Sequence, residues 1–365
     1  MISTFTRFWK FLAFFWLIAM FESPFLTPMN TQAETAEKLV GSLNELSAKA
    51  RQKTLLEGAK REGRVVFYGT ANASDARKFL RGFKQKYPFL TIDHYRAGGF
   101  RLVNKVTTEA RAGRYEPDII QTSALVGYEL LRASLTAKYF SPERKYLRKE
   151  FYDKNGNWTA MMHVRVALGY NTESVHPKAA PKSYEALQDP KWKGKVVIDT
   201  QDQDVLAAMI DAWGKERAYG FFRGLAKNQT ALRRSRTLQA QLLAAGEFQI
   251  AAFLHGYRPA QMKRQGAPVG VAILSPFVTK PIPIYLAKHA QHSHAAILLY
   301  DYLLSQDCQN IIAGQIGRGS VRIGTKERYP ELTRDKYQIV NPETAGPKLR
   351  ELRKFFDKTF MLGGY

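Results

Sequence analysis

Between Arg64 and Thr122 the chain alternates short apolar runs with amphipathic ones, and this constrains the fold more than any other feature. Arg64 to Gly69 reads as a strand stopped by glycine, Ser74 to Tyr87 as a helix ended by Pro88, and Leu90 to Tyr95 as a second strand. Arg101 to Ala112 follows as a helix with Leu102, Val103, Val106 and Ala110 on one face, and Pro117 to Thr122 as a third strand. Strands joined through helices run parallel, because a tight hairpin connects only antiparallel neighbours. Ligands of such sheets bind beyond the carboxyl ends of the strands. Three loops are thereby singled out: Tyr68 to Asn72, Tyr95 to Phe100 and Gln121 to Val126.

A chain of 365 residues, 45% apolar and 12% aromatic, folds around one large core or two ordinary ones. Its formal net charge is +23, but the basic residues are spread along the sequence, with short clusters only at Arg144-Lys145, Arg148-Lys149 and Arg233-Arg234. Scattered charge favours anions in general over a dedicated nucleic-acid groove, so no nucleic-acid partner is expected. Arg7 and Lys10, the apolar run Phe11 to Phe21 and the small-residue site Thr31-Gln32-Ala33 have the layout of a secretory signal peptide over residues 1–33. An eleven-residue run is too short to span a bilayer, which takes about 20. Cys308 is the only cysteine, which excludes an intrachain disulfide, a cysteine zinc site and a lipidated mature N-terminus. A free periplasmic protein, not a lipoprotein and monomeric, is expected.

Further along, Thr35 to Glu62 reads as a helical lead-in and Met161 to Tyr170 as a long strand. A second α/β unit runs from near Pro177, with strands at Val196–Ile198, Phe248–Phe253 and Val269–Leu274, to the proline-rich Ser275–Pro283. The first unit then resumes with a strand at Ile284–Leu286, a helix at His294–Leu304 and a charged helix at Pro347–Lys358. This predicts an α/β fold of two lobes: residues 34–168, then 169–276, then a return over 277–365. Two chain crossings, near Leu168-Gly169 and Pro276-Phe277, make a hinge around a ligand cleft.

These residues resemble a family. Leu56 to Gly63 before the first strand, Gly169-Tyr170-Asn171-Thr172, Pro181-Lys182-Ser183-Tyr184 and Pro190 to Lys195 resemble bacterial extracellular solute-binding proteins of the ferric-iron type. So do Leu243 to Glu247, Gly266 to Val269 and the helix from Ala295 to Ser305, a likeness running from about Leu55 to Arg322. The resemblance implies a type II periplasmic binding protein that passes its ligand to an ABC importer permease. Ferric members carry two adjacent tyrosines as metal ligands. The corresponding stretch here, Leu254-His255-Gly256-Tyr257-Arg258, has one. The ligand is therefore either Fe(III) with an anion, held by Tyr257 and His255, or a small organic or phosphorylated anion. Either is cargo, and no resident cofactor is expected.

Candidate ligand-binding residues follow from position. Tyr68, Thr70 and Asn72 sit where the first strand meets a helix N-terminus, whose free N–H groups suit an anion. Arg96 ends the second strand and offers bidentate pairing, and Ser123 follows the third. Thr237 opens a second-lobe helix, and His255 with Tyr257 follows a second-lobe strand. His289, His292 and His294 read as a surface connection, and the glycine pattern Gly314 to Gly319 lacks the strand a dinucleotide fingerprint requires. No HExxH or GxSxG occurs, Cys308 lacks an evident histidine partner, and nothing positions the acid pair Asp202 and Asp204 over a pocket. A periplasmic enzyme on the same scaffold, or a ligand-sensing partner of a membrane receptor, is the alternative.

Overall fold

The computed structural model describes residues 36–360, so the expected signal segment over residues 1–33 lies outside the described residues. Two helices, α1 (Ala36–Asn44) and α2 (Ala48–Glu62), lead into β1 (Arg64–Gly69), α3 (Ala73–Lys86), β2 (Thr91–Arg96), α4 (Gly99–Arg111) and β3 (Ile119–Gln121). β1 pairs in parallel with β2 on one side and β3 on the other, as the alternation dictates. α4 starts two residues before the expected Arg101. Gly98 is therefore its N-cap, with φ −69° and ψ 152°, and Gly99 its first residue.

After α5 (Ala124–Arg132) and the two-residue β4 (Thr136–Ala137), a single long strand, β5 (Thr159–Asn171), serves both halves of the molecule. All of its residues are buried. Its first half, Thr159 to Arg165, pairs with β10 (Val278–Ala287), while Val166 to Asn171 pairs with β8 (Ile250–His255) and β9 (Val269–Ala272). The change of partners falls between Arg165 and Val166, three residues before the expected crossing. The second sheet is completed by β6 (Val196–Ile198) beside β8 and the short β7 (Ala231–Leu232) beside β6.

β10 is longer than the Ile284–Leu286 strand expected from its prolines. Pro283 follows a register shift at Ile282/Pro283, the kind of irregular position at which a missing N–H donor is tolerated. The helices of the second half are α6 (Gln203–Trp213), α7 (Lys215–Lys227), α8 (Arg236–Ala244) and α9 (Tyr257–Arg264). The chain then returns through α10 (Ser293–Leu304), which packs against α2, and α11 (Gln306–Asn310). The strand β11 (Gln338–Ile339) pairs with the start of β10.

Residues 277–365 are expected as the return to the first lobe together with C-terminal helices. α12 (Pro342–Ala345) does pack on α5, but α13 (Leu349–Thr359) lies on α6 and α7 of the second. Phe355 stacks on Tyr219 with ring centroids 3.7 Å apart, and Phe356, fully buried, meets Phe222 at 5.9 Å. The helical spacing of Leu349, Leu352 and Phe356 specifies an apolar stripe, but spacing cannot say which neighbour covers it.

Candidate functional site

The carboxyl ends of β1, β2 and β3 face the second half across a cavity of about 190 Å³. Drug-sized sites run roughly 300–1,000 Å³, so the cleft suits a compact ligand. On the first-lobe side its wall is Thr70, Gly98 to Phe100, Ser123, Leu125 and Val126. The opposite side presents Gln201, Gln203, Asp204, Arg236 and His255, and the returning chain adds Lys280, Ile282 and Arg318.

The three first-lobe loops contribute differently. At the first, Gln121 Oε1 accepts hydrogen bonds from Thr70 N at 2.9 Å and Ala71 N at 3.1 Å. Asn72 Oδ1 accepts from Asp75 N, capping α3. The amides of Thr70, Ala71 and Asp75 are therefore already bonded. The other two are open: the N-cap of α4 is Gly98 and that of α5 is Ser123, neither making a side-chain cap hydrogen bond. Their first-turn N–H groups and positive dipole ends face the cavity. Thr122, fully buried between them, leaves its Oγ1 without a partner.

Facing these helix ends is a set of buried charges. Lys280 Nζ lies 2.6 Å from Asp204 Oδ2, and Arg236 pairs with Asp202 and approaches Asp204 to 3.8 Å. Burial, with Asp199 and Asp204 nearby, pushes the Asp202 carboxyl up to about 7 against the pull of Arg236 and Lys280. Burial and Arg236 lower the Lys280 ammonium. Arg318 donates to Asp75 Oδ2 at 2.9 Å and to Tyr257 Oη at 3.1 Å. His255 is held well below its ordinary pKa, by burial first and then by Arg236, Lys280, Arg318 and Arg258, so it is neutral at pH 7.

Backbone strain accompanies this arrangement. Phe253 (φ 59°) and Ser235 (φ 84°) are non-glycine residues in left-handed conformations, and each stands next to the site. Phe253 lies where β5–β8 pairing shifts register, two residues before His255, and its carbonyl accepts from Arg236 Nε at 3.2 Å. Ser235 is the N-cap of α8, immediately before Arg236.

Of the residues expected from sequence, Thr70, Ser123 and His255 line the cavity. Tyr68 does not: its buried ring packs on Tyr95 at 4.8 Å beneath Lys105. Asn72 is the α3 cap, and the exposed Arg96 donates from Nε to Ala71 O. Thr237 is exposed on α8, one residue after the cleft residue Arg236. Tyr257 is buried behind the wall, its hydroxyl shared with Asp75 and Arg318. The residues sequence reasoning missed are Gln201, Gln203, Asp204, Arg236, Lys280 and Arg318. Only the charge in the long proline-rich strand, Lys280 between Val278 and Pro281, could have signalled one of them.

Two α/β halves joined through shared strands, with one polar cleft between them, define a binding protein of the type II periplasmic class. The profile of the bacterial extracellular solute-binding proteins matches residues 121–337, and the chain belongs to that family. It is accordingly a binding protein rather than an enzyme. The family is the substrate-binding component of ABC importers, which implies a permease partner. No helix among the described residues is long and apolar enough to cross a membrane.

An uncharacterized protein of Haemophilus influenzae is 25% identical over 275 residues, 69% of this chain and 76% of that one. Two solved structures share the fold at 20% identity. The periplasmic binding protein AfuA from Actinobacillus pleuropneumoniae, with fructose-6-phosphate bound, has a TM-score of 0.73 over 82% of this chain and 99% of its own. Iron-bound HitA from Pseudomonas aeruginosa has 0.72 over 81% and 99%.

Proposed function

We propose that this chain is the periplasmic substrate-binding component of an ABC importer whose cargo is a small phosphorylated organic anion. One observation carries the reading: the uncapped N-termini of α4 and α5 face Lys280, Arg236 and Arg318 across a cavity of about 190 Å³. Backbone N–H groups at helix ends bind phosphate oxygens directly, and a neighbouring guanidinium or ammonium neutralises the charge. The remaining wall, with Gln201, Gln203 and Ser123, offers donors and acceptors to hydroxyls of the ligand body. The exogenous fructose-6-phosphate bound by AfuA, which shares the fold, supports this reading.

The halves act as lobes closing about the paired strands β5 and β10. We place the boundaries at residues 36–165 with 277–348 for the first lobe and 166–276 with 349–360 for the second. Ligand bound to both faces shifts an open–closed equilibrium toward closure, and the closed, monomeric protein is what the permease receives.

Ferric iron with an anion is the second reading, favoured by iron-bound HitA and by the His255 and Tyr257 rings, 6.4 Å apart beside the cleft. Against it, Tyr257 Oη is already engaged by Asp75 and Arg318. Among the described residues no group of three His, Cys, Asp or Glu side chains is arranged to hold a metal. Titration calorimetry with a panel of sugar phosphates and with ferric citrate tests the choice. A sugar phosphate binding at micromolar Kd or tighter supports the anion; binding of ferric citrate alone supports the metal.

A further inference from the structure

A groove of about 600 Å³, larger than the ligand cleft, runs along α4 and α5 and shares Phe100 and Val126 with that cleft. Its lining includes an apolar set, Phe100 and Val103 of α4, Val126 of α5, Leu135, and Leu349 at the start of α13, beside Asn104, Thr107 and Tyr115, with the Arg353 guanidinium 5.2 Å from the Phe100 ring centroid. Four guanidiniums, Arg111, Arg132, Arg350 and Arg353, stand at its rim against one carboxylate, Glu129. Arg132 is paired with Glu129, and Arg353 with Asp357. Arg111 and Arg350 meet no carboxylate within 4.0 Å among the described residues, so two cations of one groove are left unneutralised.

We infer that this groove is a second ligand site, for an amphipathic organic anion: an aromatic or aliphatic body carrying a carboxylate, sulfonate or phosphate. The volume falls within the roughly 300–1,000 Å³ of small-molecule sites. The apolar set gives the body surface to cover, while the rim gives its head two guanidiniums with unused donors. A purely polar anion would leave the apolar set wet, and a neutral hydrophobe would leave the arginines unanswered. Phe100 and Val126 are walls of both cavities, and α13 is fixed to α6 and α7 of the second half, so the groove spans elements from both lobes.

The test is fluorescence titration of the folded protein with 8-anilinonaphthalene-1-sulfonate at about 0.15 M salt. Salt at that level screens exposed charge beyond about 8 Å and limits general attraction to a chain of net charge +23. One saturable equivalent is expected, with affinity reduced at least about tenfold by Arg350→Glu, roughly 1.4 kcal/mol. Thr107→Trp fills the groove while keeping its charges and abolishes binding; Thr107 Oγ1 bonds only to carbonyls of its own helix, so its loss leaves the fold intact. Lys280→Ala, in the ligand cleft, leaves the probe's affinity unchanged. No saturable binding, equal binding by Arg350→Glu and Thr107→Trp, or loss on Lys280→Ala alone overturns the inference. So does light scattering that shows a dimer broken by Thr107→Trp, which would give the groove to a second copy of the chain.

Discussion

Lys280 Nζ and Asp204 Oδ2 lie 2.6 Å apart, both side chains more than nine-tenths buried, and the pair joins the returning strand β10 to α6 of the second half. Breaking a buried pair from one side leaves an uncompensated charge, which costs about 3–5 kcal/mol. Arg236, 3.8 Å from Asp204, partly compensates, so Lys280→Met is expected to cost about 3 kcal/mol in urea unfolding. Adding Asp204→Leu restores most of that stability but not ligand affinity, because the cation facing the helix ends is still missing. A double variant that recovers affinity would remove Lys280 from the site.

Gly99, the first residue of α4, is kept small by its surroundings. A methyl group there would meet Thr122 Oγ1 at 3.2 Å and stand over the open amides of the helix end. Its φ is not in the left-handed region, so Gly99→Ala changes stability by less than about 1 kcal/mol. Affinity for the phosphorylated ligand falls by roughly tenfold or more, since a charge-assisted hydrogen bond is worth about 1.5–3 kcal/mol. Arg96→Ala serves as the control in the same calorimetric series and leaves Kd within about twofold, because that side chain turns to Ala71 O.

Tyr257 separates the two ligand readings. With a phosphorylated ligand, Tyr257→Phe removes one hydroxyl from the Asp75–Arg318 network, costing about 1 kcal/mol of stability and at most about fivefold in affinity. With ferric iron it removes the only phenolate beside His255 and abolishes both binding and the visible phenolate-to-metal absorbance. Absorbance titration of both proteins decides.

Cleft-lining His255 and the fully buried Asp202 behind it give stability opposite pH dependences. His255 has a depressed pKa in the folded protein, so the unfolded chain takes up a proton that the folded one refuses below about 6.5. Its contribution is complete above that pH and is lost as pH falls, so the stability advantage of the wild type over His255→Gln shrinks from pH 8 to pH 5. Asp202, pushed up to about 7 from 3.8, works the other way. Its folded form binds a proton between those values, so stability is lost as pH rises through about 7. Asp202→Asn removes that decline. Urea midpoints at pH 5, 6.5 and 8 for the three proteins check both signs.

The C-terminal helix α13 shares a core with α6 and α7. Phe356→Ala, although near the end of the chain, is expected to destabilise the protein by about 3–5 kcal/mol, since its ring is fully buried against Phe222 and Phe360. A loss below about 1 kcal/mol in thermal or urea unfolding would show that α13 is not docked as described.

The sequence made the sheet legible because periodicity reports which face of an element is buried. The strands at Arg64–Gly69 and Val196–Ile198 and the helix from Tyr257 fall where the pattern puts them. The loops at Gly98 and Ser123 were legible too, from the rule that ligands meet the carboxyl ends of parallel strands. The cations opposite them were not. Lys280 lies in a stretch whose prolines mask the strand, and Arg236 looks like any other basic residue in a chain with 55. Tyr68 was misplaced because strand alternation fixes which face a side chain takes only once the neighbouring helix is known. Gln121, which takes the amides of Thr70 and Ala71 before α3, lies 51 residues from Thr70 in sequence, beyond the reach of local pattern.

The most direct test is native mass spectrometry of the protein purified gently from its host cells, beside Lys280→Ala prepared identically. A phosphorylated organic mass on the wild type, absent from the variant, is the predicted result. An iron increment that survives Lys280→Ala and disappears in Tyr257→Phe would contradict it.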